Sequence, residues 1–164
     1  MNNEAYAGAT PEQLGHPMVA ELLAIHNHFR TELAAMLRLT QELLAGRQVL
    51  DGPQTRARVQ TLIRASYQYT QMLHAHHGIE TAQMFPALAA QGLATGVVTR
   101  LNREHDAISV LVDQFSQDLH ELSATQPGVV DSDLQRLAQA LSDHLAYEET
   151  HVCPVLAKFS GWPR

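Results

Sequence analysis

The chain has 164 residues, 45% of them hydrophobic and 17% charged, with a formal net charge of −6. This suits one globular domain with a buried core, while an acidic balance without a basic stripe argues against nucleic-acid binding. No apolar run approaches the roughly 18 residues that span a bilayer; Met1-Asn2-Asn3-Glu4 lacks the features of a secretory signal, and the lone Cys153 cannot form an internal disulfide, so a reducing, cytoplasmic setting is expected.

Strand signals are nearly absent, since the β-branched residues are scattered and never alternate. Four long helices are predicted at about 17–45, 54–85, 97–123 and 131–157, behind a short segment 1–15. Thr10-Pro11-Glu12 reads as the N-cap, first position and first-turn acid of a short helical turn. Pro17 suits the first turn of helix one, whose Leu22, His26, Phe29, Leu33, Met36, Leu37 and Leu44 recur at helical steps; Gly46 suits the position past its end. Asp51-Gly52-Pro53 turns the chain. Helix two carries Val59, Leu62, Ile63, Tyr69, Leu73 and His76 on its inner stripe and ends near Phe85-Pro86. The segment Gln91–Gly96 is the most glycine-rich connection. Helix three runs through Leu101, His105, Ile108, Val112, Phe115 and Leu119 until Gln126-Pro127-Gly128 breaks it. Asp131 or Ser132 caps helix four, which carries Leu134, Leu137, Leu141, His144, Glu148 and His151. Long helices with short links imply an all-α, up-down-up-down antiparallel four-helix bundle.

Ten histidines occur, and their placement is ordered. His76 precedes Glu80 by four residues, Pro86 by ten and Leu88 by twelve; His144 stands in the same relation to Glu148, Pro154 and Leu156. Residues four apart share a helix face, so each block presents an imidazole beside a carboxylate. His26 lies early in helix one and His105 early in helix three, whereas His76 and His144 lie late in helices running the other way. At 1.5 Å rise per residue all four reach similar depth. His26, His76, Glu80, His105, His144 and Glu148 are the candidate metal ligands. Four imidazoles and two carboxylates suit two ions of iron, manganese or zinc better than calcium or magnesium, with positions left for O2, peroxide or NO. Two inward glutamates would otherwise be costly to bury.

The pattern resembles the hemerythrin-like, or HHE cation-binding, family from about Gly15 to Lys158. His26-Asn27-His28-Phe29-Arg30 matches its helix-one element and Glu104-His105 its helix-three element, while the two His-x-x-x-Glu-x-x-x-x-x-Pro-x-Leu blocks match best. Oxygen carriers of the family have a second histidine four residues after the helix-three ligand, where this chain has Ser109. They also place an aspartate five after the helix-four histidine, where it has Glu149; Glu148 fits better. The resemblance therefore implies the branch of iron sensors, nitrosative-damage proteins and peroxide-reactive proteins, with two non-haem iron ions joined by an oxo or hydroxo bridge; zinc and manganese remain alternatives. Loss of the Ser109-position ligand favours reactivity over oxygen carriage.

By helical phase His28 and His74 are solvated, and His16 and His120 lie on the surface. His77, three before Glu80, borders the inner face and is read as a hydrogen-bonding neighbour of the ligands, with a ligand role as the alternative. His151 and Tyr69 sit a heptad from His144 and His76; packed, hydrogen-bonded roles compete there with proton relay or extra coordination, and these two are the candidate catalytic residues. Tyr67 and Tyr147 are peripheral, and Cys153 faces away from His144. Gly92 and Gly96 could let their loop admit a small ligand. The expected function is redox chemistry on a small oxidant, by peroxide disproportionation, O2 reduction or NO handling, leaning towards an enzyme. The alternatives are a non-enzymatic iron or oxygen sensor or store, and a metal-free histidine phosphotransfer bundle, which leaves Glu80 and Glu148 unexplained.

Overall fold

Residues 11–45, 52–121 and 127–162 are described by a computed structural model, and among them no strand occurs. The elements are α1 (Pro11–Leu14), α2 (Pro17–Ala45), α3 (Pro53–Ile79), a π-helical turn (Glu80–Met84), α4 (Phe85–Ala90), α5 (Thr95–His120) and α6 (Pro127–Leu156). Each long helix packs on the next, and α2 also packs on α6, closing the ring of the expected bundle.

Prolines open the helices where their fixed φ suits the first turn and their missing N–H costs nothing. Pro53 opens α3 after an extended Gly52. Pro127, read from sequence as part of a helix breaker, instead starts α6, four residues before the expected cap at Asp131. Asp131 lies inside the helix and accepts a bond from Gln135. The end of helix two also differs from expectation. At Phe85 the backbone N–H reaches back five residues to the Glu80 carbonyl, so a π-turn interrupts the predicted continuous helix. Such insertions often mark functional sites. The expected cap at Thr10, the end at Gly46, and residues Asp51, 122, 123 and 126 lie outside the described residues.

The connection after α4 is closed. Gly92, at φ +103°, takes the left-handed position that glycine adopts without steric cost. Leu93 N–H bonds Leu88 O, and Gly92 N–H bonds Ala89 O, the paired return of a Schellman turn, with Leu88 and Leu93 both buried.

The core divides into two apolar clusters. One holds Phe29, Leu33, Leu73, Ile108, Val112, Phe115, Leu141 and Leu145. The other holds Val19, Leu22, Leu23, Phe85, Leu88, Leu101, Val152 and Leu156. Along each long helix a buried polar residue falls between them: His26 on α2, His77 with Glu80 at the α3 end, His105 on α5, and His144 with Glu148 on α6. Apolar residues therefore flank the polar layer on both sides. No described helix is long and apolar enough to cross a membrane.

Candidate metal centre

The six histidine and glutamate residues singled out by spacing meet in this layer. His76 Nε2 lies 2.8 Å from Glu80 Oε1, and His105 Nε2 lies 3.3 Å from Glu80 Oε2. His26 Nε2 is 3.9 Å from Glu80 Oε1 and 3.6 Å from Glu148 Oε2. His144 Nε2 is 3.5 Å from Glu148 Oε2. His77 joins them: its ring stacks on His105 at 3.9 Å and 10°, edge-on to His144 at 5.2 Å. Successive helical residues diverge by about 100°, so His76 and His77 straddle the inner face and aim to its two sides.

The atoms fall into two sets, each with its members within 4.8 Å of one another: His26, His76, Glu80 and Glu148, and His77, Glu80, His105 and His144. Glu80 belongs to both. In neither set are the atoms aligned as hydrogen-bond donors and acceptors. The Nε2 atoms of all five histidines and both oxygens of Glu80 and Glu148 are buried without a partner. An unsatisfied buried polar group costs about 1–3 kcal/mol, and a concentration of lone pairs with no donor is the complement of a cation. The residues fit a pair of imidazole- and carboxylate-bound metal ions.

The outer nitrogens show the same purpose. His26 Nδ1–H donates to Glu149 Oε1 at 3.0 Å, and Arg30 Nη1 donates to the same oxygen at 2.8 Å. His144 Nδ1–H donates to Glu104 Oε2 at 3.0 Å, with Arg100 Nε on the other oxygen at 2.7 Å. His105 Nδ1–H donates to Thr81 Oγ1 at 2.9 Å, and the Thr81 hydroxyl donates to Asn102 Oδ1 at 3.0 Å. With Nδ1 as donor, Nε2 keeps its lone pair facing inward, the arrangement that orients metal-binding histidines.

Burial disfavours charge at both central glutamates, but the imidazoles of His105, His26 and His76 hold the Glu80 carboxyl well below its ordinary range. Glu148 is pushed well above that range by burial and by the charge of Glu80. His26, despite burial, is pushed up to about 10 by Glu148, Glu149 and Glu80. Protons thus hold the positive charge that a cation would replace. Burial, with the His105 charge, lowers His77 to about 2, and burial brings His144 to about 4; both stay neutral, as ligands must.

The two candidate catalytic residues lie outside the cluster. Tyr69 donates its hydroxyl to the Phe29 carbonyl at 3.4 Å, and the Phe29 ring packs on both Tyr69 and His76. Burial raises its phenol above the ordinary value, which disfavours a phenolate. His151 turns its Nδ1–H to the Tyr147 carbonyl at 2.7 Å and packs on the Tyr147 ring. His28 and His120 are exposed, and His74 pairs with Asp113. His16 donates through Nε2 to Phe159 O and accepts from Met18 N–H, joining the start of α2 to the end of the chain's described part. Cys153 is fully buried.

A cleft of about 240 Å³ leads from the surface between α2 and the end of α3 to His76 and Glu80. Leu22, Ile25, Ile79, Met84 and Trp162 line it, with Trp162 Nε1 donating to Glu21 Oε2 at 2.7 Å. A second cleft, of about 250 Å³ between α5 and α6, reaches His144 beside Arg100 and Glu104.

The sequence model of the hemerythrin HHE cation-binding domain family matches residues 17–156, all four long helices included. No curated protein and no solved structure matches the chain.

Proposed function

The chain belongs to the hemerythrin HHE cation-binding family, and we propose that it holds a carboxylate-bridged pair of non-haem iron ions that performs redox chemistry on peroxide, O2 or NO. One observation carries this reading: unpartnered lone pairs from four helices converge in a buried layer, with Glu80 shared between two sets. Iron in such a site would supply Lewis acidity and one-electron exchange.

The remaining work falls to the protein. Glu80 and Glu148 provide the negative charge that offsets two cations, and the Glu80 carboxylate can bridge the two sets. Glu149, Glu104 and Thr81 hold His26, His144 and His105 in the ligating tautomer. Phe29 and Phe85, each packed on a histidine of the cluster, limit bulk water. The largely apolar cleft admits a molecule of two or three heavy atoms and offers little to a large polar one. Peroxide disproportionation closes its own electron balance, one molecule being reduced to water and another oxidised to O2; reducing O2 or NO calls for an outside donor.

A second reading, non-enzymatic sensing or storage of iron, draws on the same buried glutamates. Their cost without a cation links metal occupancy to bundle stability, and so to any partner that recognises the folded form. Anaerobic reconstitution with ferrous iron, followed by rapid mixing with O2, peroxide or NO, separates the readings. Catalytic peroxide loss, or turnover of O2 or NO with a donor, supports the enzyme. Stoichiometric oxidation without turnover supports the sensor or store. Failure to retain iron contradicts both.

A further inference from the structure

We propose that His77 is a metal ligand that takes the place of the imidazole α5 lacks at Ser109, so that α3 supplies adjacent imidazoles to both metal positions and the two positions have unequal donor sets. This rests on the metal-pair reading above and sharpens it. In the family pattern the absent histidine would sit one turn after His105, at Ser109. The structure brings an imidazole from another helix, that of His77, to the same set as His105. His77 is 6% exposed, its Nε2 has no hydrogen-bond partner, and that atom shares a 4.8 Å cluster with Glu80, His105 and His144. A histidine retained only for packing would have its buried nitrogens satisfied by the protein. Here the free lone pair faces the place where the other lone pairs meet.

The consequence is a division of labour. One position has three imidazoles, from His77, His105 and His144, with Glu80. The other has two, from His26 and His76, with Glu80 and Glu148. The cleft beside α2 reaches His76 and Glu80, and a second, between α5 and α6, reaches His144. The missing α5 histidine then does not by itself leave an additional vacant coordination place.

Cobalt(II) tests this, because its visible absorption reports coordination number and donor type independently of turnover. Wild-type protein should take up two cobalt ions. His77→Gly should bind one of them at least 10- to 100-fold more weakly, the loss that removing even a supporting partner of a ligand brings, with a changed spectrum. Millimolar imidazole should restore the wild-type spectrum and the second ion, which a purely structural role would not allow. His74→Ala, altering a half-exposed histidine on the same helix, should change nothing. If His77→Gly does not fold, His77→Gln replaces it, and its spectrum must still differ from wild type. Two ions bound with wild-type affinity and spectrum in either folded variant, or no recovery with imidazole, overturns the assignment of His77 alone. A wild-type protein that takes up no cobalt, iron, manganese or zinc overturns the metal-pair reading and this proposal with it.

Discussion

Replacing Glu149 by alanine tests how the outer hydrogen bonds support the centre. Its Oε1 accepts from His26 Nδ1 at 3.0 Å and from Arg30 Nη1 at 2.8 Å, and the residue is 2% exposed. Burial would raise its carboxyl pKa, but the bonds from His26 and Arg30 hold it below the ordinary range. In Glu149→Ala, His26 loses the acceptor that keeps its proton on Nδ1, and Nε2 competes for that proton. Loss of such an acceptor costs about 10- to 100-fold in metal affinity, which is about 1.4–2.7 kcal/mol. The effect should fall on the ion held by His26. Glu149→Gln keeps an oxygen acceptor without the charge, so its loss should lie near the lower end. Titration against a chelator of known affinity, resolving the two binding steps, measures both variants. The reasoning fails if both steps in Glu149→Ala stay within about twofold of wild type, or if alanine and glutamine variants behave alike.

Other outcomes follow from the same contacts. In metal-free protein His77 holds its folded pKa near 2 against 6.5 when unfolded. Between these values the unfolded chain binds one more proton at this site, so its contribution to stability falls as pH drops below 6.5. Wild type should lose about 1.4 kcal/mol per pH unit relative to His77→Phe between pH 6 and 4, measured by urea unfolding; parallel curves would refute it. Cys153 is buried, and burial with the nearby Glu149 and Glu148 charges pushes its thiol up to about 12. It should resist iodoacetamide at pH 8 in folded protein and react once the chain unfolds, as mass spectrometry would show; rapid labelling of folded protein would contradict its placement. Trp162 is the chain's only tryptophan, and it lines the cleft beside Glu21, to which it is hydrogen-bonded. Trp162→Phe should speed azide binding to the ferric protein severalfold in stopped flow without changing metal content; an unchanged rate would place the access route elsewhere.

The helices and most of the cluster were legible because both depend on periodicity. Apolar residues at helical steps define the inner stripes, and His76, Glu80, His144 and Glu148 sit on them at matched depth. Phase was less able to resolve what happens at the edge of a stripe. His77 borders the inner face by phase, which leaves neighbour and ligand both open, and the layer is wide enough to take its ring against His105 beside His76. Tyr69 and His151 show what phase omits about depth along a helix. Each shares a face with a cluster histidine but lies about 10 Å along the helix from it, where the Tyr69 hydroxyl and the His151 Nδ1–H each meet a backbone carbonyl. Glu104 and Glu149 support histidines on other helices, a contact that spacing within one helix does not encode; their placement directly beside His105 and Glu148 was the available signal. The π-turn at Glu80 has no signature in apolar spacing, and Pro127 can serve equally as a helix breaker or a helix start.

Metal content of wild type and Glu80→Gln, reconstituted side by side and read by native mass spectrometry, tests the central claim most directly. Glu80 is the only residue common to both sets, so its carboxylate supports both ions. Two ions per wild-type chain and fewer in a folded Glu80→Gln protein are expected, with both binding steps weakened. A wild-type chain carrying no metal, or a Glu80→Gln chain that keeps two ions with unchanged affinity, would contradict the shared-carboxylate centre.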